Sequence, residues 1–354
     1  GYIETVAIDI PRLNYPLIDG VVQDDPSLLL EPVRTNLIPN SFLLSNSPIK
    51  NGTITDNFAI SPDGTQNASR LTSPSVDPFF YQGITFSTGS YTASIYVKGI
   101  GSSIGKELRI VLGANSSAKF TISSEWTRFE YTATMTSGSA NSGLEIPDPA
   151  VIGDDVLVWG WQTEAGSYAT SYIPTSGSTV TRAAETATGA GTSADFNSSE
   201  GVLFAEISAL ADDSTDRYIL LSDGGWNNRV QLNFENVSNT IEARFFVNTL
   251  PQFDTSFLLT DITTFGKFAI KWKVNDFALW VNGVEVSTDT NGSVPSANTF
   301  NELSFYDGQG SNPFYGNTKE IAVFKEALTD SELESLTSWD SFNEMATGQL
   351  YSIK

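Results

Sequence analysis

The sequence predicts an all-β protein: two jelly-roll β-sandwich domains with an extended N-terminal arm. Three observations predict it. Short runs alternate with period two, among them residues 91–98, 108–112, 156–161, 201–207, 243–247 and 277–281. These runs are rich in β-branched and aromatic residues, and clusters of Gly, Asn, Asp, Ser and Pro separate them. Helical periodicity is scarce, and only residues 329–336 read as a helix. Thr329 is its N-cap, Glu332 holds the capping-box position, and Leu333 and Leu336 share one face.

The elements follow in chain order. Residues 1–35 carry Pro11, Pro16, Pro26 and Pro32, each of which fixes φ and removes a ladder donor. This stretch is expected to be an extended docking arm on another surface, such as another subunit, because the run Leu28-Leu29-Leu30 would otherwise stand in water. Residues 36–174 are expected to form the first jelly roll. Residues 175–194 are Ser-, Thr- and Gly-rich and poor in large apolar side chains, and read as a linker. Residues 195–338 are expected to form the second jelly roll, followed by a short C-terminal tail, 339–354. Asn-Gly steps mark hairpin turns at Asn51-Gly52, Asn282-Gly283 and Asn291-Gly292, and Asn282-Gly283 has the clearest flanking strands.

Composition narrows the function. At roughly 100–200 residues per domain, 354 residues suggest two domains. There are 41 acidic and 19 basic residues, a net charge of −22, yet 40% hydrophobic content is too rich for a disordered chain. The acidity argues against nucleic acid as a partner. No apolar run reaches the roughly 18 residues of a membrane span, so no membrane insertion is expected. The opening Gly1-Tyr2-Ile3-Glu4 lacks the character of a signal peptide. Without histidine there is no Ser-His-Asp triad and no His-ligated zinc. Without cysteine there is no disulfide framework and no thiolate chemistry. Carboxylate-pair catalysis, oxygen-ligated metals and plain binding remain.

Several motifs resemble known proteins. Gly1-Tyr2-Ile3-Glu4-Thr5-Val6 and Pro26-Ser27-Leu28-Leu29-Leu30-Glu31-Pro32 look like a stretch that recurs in tailed-bacteriophage structural proteins, where it leads into a carbohydrate-binding-like jelly roll. Trp159-Gly160-Trp161-Gln162-Thr163-Glu164-Ala165-Gly166 resembles a strand of that module, and Ala169-Thr170-Ser171-Tyr172-Ile173-Pro174-Thr175 its exit. Gly316-Asn317-Thr318-Lys319-Glu320-Ile321-Ala322-Val323-Phe324, followed by Ala327-Leu328-Thr329-Asp330, resembles the end of a concanavalin A-like (laminin-G-like) lectin or glucanase domain. The resemblance implies a fibre, spike or decoration protein, located on a virion. Its partners would be other virion proteins and host or environmental glycans, and its assembly a homo-oligomer, a trimer. The alternative is a purely structural head-fibre or decoration protein that binds no sugar. Catalysis is not expected, because the E-x-D-x-x-E arrangement of concanavalin-like glucanases is missing.

Candidate sites were sought where a ring can stack on sugar beside compact polar groups. Asp223-Gly224-Gly225-Trp226-Asn227-Asn228-Arg229 is the strongest: Trp226 would be the platform, and Asp223, Asn227 and Asn228 would bind hydroxyls. Against this, Trp226 could fold down over the sheet edge. Phe80 and Tyr81, with Phe79, form a second candidate that could equally alternate into the core. Residues 307–315 form a third, similar loop. A structural calcium is the cofactor the composition permits, and Asp154-Asp155 resembles the carboxylate pair that can hold it. With 41 acidic residues, a solvated loop explains the same pair.

Overall fold

The computed structural model describes residues 2–3, 10–18, 21–72, 79–116, 119–146 and 155–338. The protein is all-β, and every ladder between strands among the described residues is antiparallel. It divides into two compact units, Pro32–Ala184 and Gly1–Glu31 together with Glu185–Lys354.

In the unit Pro32–Ala184, one sheet runs Asn115–Ser116, Glu107–Leu112, Gly138–Glu145, Phe79–Phe86, Ile49–Asn51. The other runs Thr127–Met135, Gly89–Ile100, Asp155–Ala165, Ala68–Thr72, Thr53–Ala59. Alternation sends Tyr91, Ala93, Ile95 and Val97 into the core with Phe80, Leu108, Ile110, Leu144 and Trp161. Gly143 permits the closest approach: a Cβ there would lie 2.1 Å from the Phe80 carbonyl oxygen. The segment around Thr170 straps the opposite, polar face of Asp155–Ala165. Gln162 Nε2 donates to the Thr170 carbonyl, and Glu164 accepts from the Thr170 N–H and hydroxyl. That strap lets Gln162 and Glu164 be fully buried at no cost in unpaired groups. Val180–Arg182, in the stretch expected as linker, pairs with Arg34–Asn36.

In the other unit, the larger sheet runs Tyr2–Ile3, Leu13–Tyr15, Ser27–Leu30, Gly316–Phe324, Glu200–Ala209, Gly266–Lys273, Asp276–Val281, Val284–Asp289. The expected arm therefore supplies strands to this chain's own sheet, with Leu30 opposite Gly316 and Leu28 opposite Thr318. A clasp holds it. One Arg12 nitrogen lies 2.5 Å from both Glu31 and Glu185, and the Glu31 N–H donates to Glu185.

The second sheet of this unit runs Leu250–Leu258, Thr240–Val247, Arg229–Phe234, Arg217–Ser222, Glu302–Ser304. Between the two sheets lie Leu203, Ile219, Leu232, Phe245, Phe268, Trp272 and Phe300. Asn282 and Gly283 both have positive φ, 47° and 83°, and close the predicted hairpin. The other two Asn-Gly steps do not. Asn51-Gly52 joins strands of different sheets, and no strand directly follows Asn291-Gly292. The helix Asp330–Ser338 has the predicted capping box: the Thr329 N–H donates to Glu332, and the Glu332 N–H donates back to the Thr329 hydroxyl. Leu333 and Leu336 pack on Val202, Phe204, Ala269 and Trp280, on the outer face of the larger sheet.

Candidate functional site

The smaller sheet of the second unit has a polar outer face. Along Arg229–Phe234, Val230, Leu232 and Phe234 enter the core, so Arg229, Gln231 and Asn233 face the other way. Along Thr240–Val247, Ile241, Ala243 and Phe245 enter the core, leaving Glu242, Arg244 and Phe246 outside. Register sets Arg229 opposite Phe246, Gln231 opposite Arg244, and Asn233 between Tyr218 and Glu242. Directly paired side chains on one face stand about 5 Å apart, close enough to bond.

They do bond. Arg229 Nε donates to Gln231 Oε1, and Gln231 Nε2 donates to Asn233 Oδ1 at 2.8 Å. Arg244 pairs with Glu242 at 2.6 Å and with Asp254 at 2.9 Å. The Arg229 guanidinium lies between two rings, 3.7 Å from the centroid of Trp226 and 3.5 Å from that of Phe246. Tyr218 completes the wall, with its ring centroid 6.3 Å from that of Trp226. Burial and the neighbouring Arg244 lower the Arg229 pKa to about 10.

The loop between Arg217–Ser222 and Arg229–Phe234 carries four of the residues predicted to bind sugar. Its structure divides their roles. Asp223 accepts from the Gly225 N–H through one oxygen and from Asn228 Nδ2 through the other. Asn228 Oδ1 accepts from the Asn248 N–H. Asp223 and Asn228 thus brace the loop, since a turn must satisfy its own backbone donors before it can serve a ligand. Asn227 is exposed, and its side-chain amide makes no hydrogen bond among the described residues. Trp226 is half-buried, and Arg229 covers one face of its ring, so part of the ring remains for contact.

The third loop, residues 307–315, lies against the first: a Cβ at Gly308 would meet Leu220 at 2.8 Å and the Gly225 carbonyl at 3.2 Å. Asp307 accepts from its own loop's Gln309 and Ser311 N–H groups, and Phe314 is buried in the core.

Phe80 is placed otherwise than a stacking platform requires. It is fully buried, with its ring edge-on to Trp161 at 4.9 Å, because alternation along Phe79–Phe86 turns it inward. Tyr81 is half-buried, stacks on Phe79 at 4.7 Å and donates its hydroxyl to Glu145. Asp154 lies outside the described residues. Asp155 stands 3.6 Å from Arg70, a partner that competes with a cation. Among the described residues no group of three or more Asp, Glu, His or Cys is placed to hold a metal.

Tyr218, Gln231, Asn233, Glu242, Arg244 and Phe246 are not among the residues that the sequence motifs single out. A signal existed: polar residues at every second position, 229, 231, 233 and 242, 244, beside apolar ones at the alternate positions.

Glu242 carries a pH prediction. Burial and the nearby Glu235 push its carboxyl up from 4.5 to about 8, against the downward pull of Arg244. Between those values the folded chain binds this proton more tightly than the unfolded chain, so this group's contribution to stability falls as pH rises from 4.5 to about 8. Glu242→Gln is expected to flatten that fall. Urea midpoints of both proteins on either side of this window check it; parallel profiles would contradict it.

No family model matches the chain, and no curated protein matches it. Solved structures similar to it include the CBM40 of the Ruminococcus gnavus IT-sialidase, at 15% identity over 40% of this chain and 84% of that one, TM-score 0.34. A heptameric SAP-like pentraxin from Limulus polyphemus is similar at 14% identity over 44% and 76%, TM-score 0.35. Domain 4 of AbnA, a GH43 extracellular arabinanase from Geobacillus stearothermophilus solved with arabinotriose, is similar at 13% identity over 46% and 73%, TM-score 0.35.

Proposed function

We propose that this is a non-catalytic carbohydrate-binding protein, and that the polar face around Arg229 is where it holds sugar. One observation carries the reading: a hydrogen-bonded row of amide, guanidinium and carboxyl groups lies beside the rings of Tyr218, Trp226 and Phe246. Sugars present C–H patches on their faces and hydroxyls at their edges: the half-buried rings offer a platform for the first and the exposed Asn227 amide a partner for the second, while the buried row beneath holds the rings in place. We place the protein on a virion as a trimer, with other virion proteins as partners. The support for that setting is the resemblance of its N-terminal and exit motifs to tailed-phage structural proteins, and a trimer would present several weak sites together.

A glycan array with the full chain tests the reading, followed by titration of the best ligand. Retention of a defined set of glycans is expected, with single sites of about millimolar class. Trp226→Ala is expected to weaken binding about tenfold or more while the chain stays folded, since the half-buried ring stands outside the core clusters. An array that retains nothing would overturn the reading in favour of a purely structural role.

A further inference from the structure

We infer that the sugar bound at this face carries a carboxylate, which seats on Arg229. The inference rests on the carbohydrate reading above and names the ligand class. Arg229 is 3% exposed, yet its acceptors are neutral: the Gln231 side-chain oxygen and the Trp226 carbonyl. No carboxylate lies within ion-pair distance of it among the described residues, in a chain with 41 acidic and 19 basic side chains.

The other three arginines of this unit are all paired. Arg12 has Glu31 and Glu185, Arg244 has Asp254 at 2.9 Å, and Arg217, as buried as Arg229, has Asp213 at 2.6 Å. A buried guanidinium is ordinarily matched in this way, because an unpaired charge removed from water is costly. Arg229 is the exception, and it is held ready. Trp226 and Phe246 clamp the two faces of its plane, so only an edge can meet a ligand. Nε and Nη1 are engaged, and Nη2 makes no hydrogen bond among the described residues and is not fully sealed, so it is the guanidinium nitrogen left for a ligand. A fixed planar edge of N–H donors matches a planar carboxylate.

Neighbouring charges agree. Arg244 adds positive potential that already disfavours the Arg229 proton, and an arriving anion would relieve it. Asp223 and Asp254 flank the site, which disfavours a densely charged ligand such as a sulfated polymer and leaves room for one carboxylate per sugar.

The test uses the intact chain and matched probes: oligogalacturonate, oligomannuronate and a nonulosonic-acid trisaccharide, each beside its carboxyl-reduced form, titrated at neutral pH. At least one acid form is expected to bind about tenfold or more tightly than its reduced form, with an advantage that shrinks in high salt. Arg229→Gln is expected to remove that advantage, and Arg229→Lys to restore part of it. Because the comparison of acid with reduced probe needs no variant, a misfolded Arg229→Gln would not obscure it. Equal binding of acid and reduced forms would overturn the inference and leave the carbohydrate reading standing. Tighter binding of a sulfated probe than of any carboxylated one would also overturn it. If neutral and acidic glycans alike fail to bind, both readings fall together.

Discussion

Replacing Arg12 with Ala is expected to cost about 3–5 kcal/mol of stability, because it leaves two carboxylates facing each other with no cation between them. Arg12 and Glu31 are nearly sealed, with side-chain exposures of 10% and 4%, and Glu185 lies against both. The loss would fall on a critical joint. Glu31 ends the N-terminal part of its unit and Glu185 begins the rest, so the clasp ties both passages of chain to one sheet. Thermal unfolding is expected to shift down by on the order of 10 °C at this size. Glu185→Gln would be milder, since it removes one of two negative charges and leaves Arg12 paired with Glu31. A melting temperature unchanged by Arg12→Ala would show that the arm adds nothing to the unit it pairs with.

Phe80→Ala is expected to cost about 3–5 kcal/mol, as large aromatic truncations in a packed core do. The ring is fully buried among Leu108, Leu144 and Trp161, and the neighbouring backbone at Gly143 approaches too closely to collapse into the space left behind. Scanning calorimetry should show the loss in the transition of the unit Pro32–Ala184, with the other unit's transition little moved. Glycan retention at the Arg229 face is expected to survive in the folded fraction. The opposite pattern, unchanged stability with lost binding, would make Phe80 a surface platform after all.

The strands were legible because alternation is local, and so was the helix, whose cap Thr329 and partner Glu332 lie three residues apart. One turn of three was legible. At Asn282-Gly283 two strands of one sheet flank the step, whereas Asn51-Gly52 has identical local chemistry and joins two sheets. For the site, Trp226 was found as a ring in a polar loop, but the loop's polar residues divided in a way no local rule contains. Asp223 and Asn228 turn inward to brace backbone N–H groups, and Asn227, between them in sequence, stays exposed. Arg229 was visible only as the loop's last residue. Its importance comes from Phe246 opposite it across a strand pair, and from the lack of a carboxylate partner among the described residues.

By itself the sequence determined the all-β class, the capped helix and the exclusion of thiol and imidazole chemistry. Each depends on composition or on residues a few positions apart. The tertiary structure decided which face of each strand is buried, what the N-terminal segment pairs with, and which polar groups meet. Those depend on register between strands distant in sequence, where a shift of one residue would exchange every inward side chain for an outward one. Phe80 went to the core and Arg229 to a clamped edge for that reason.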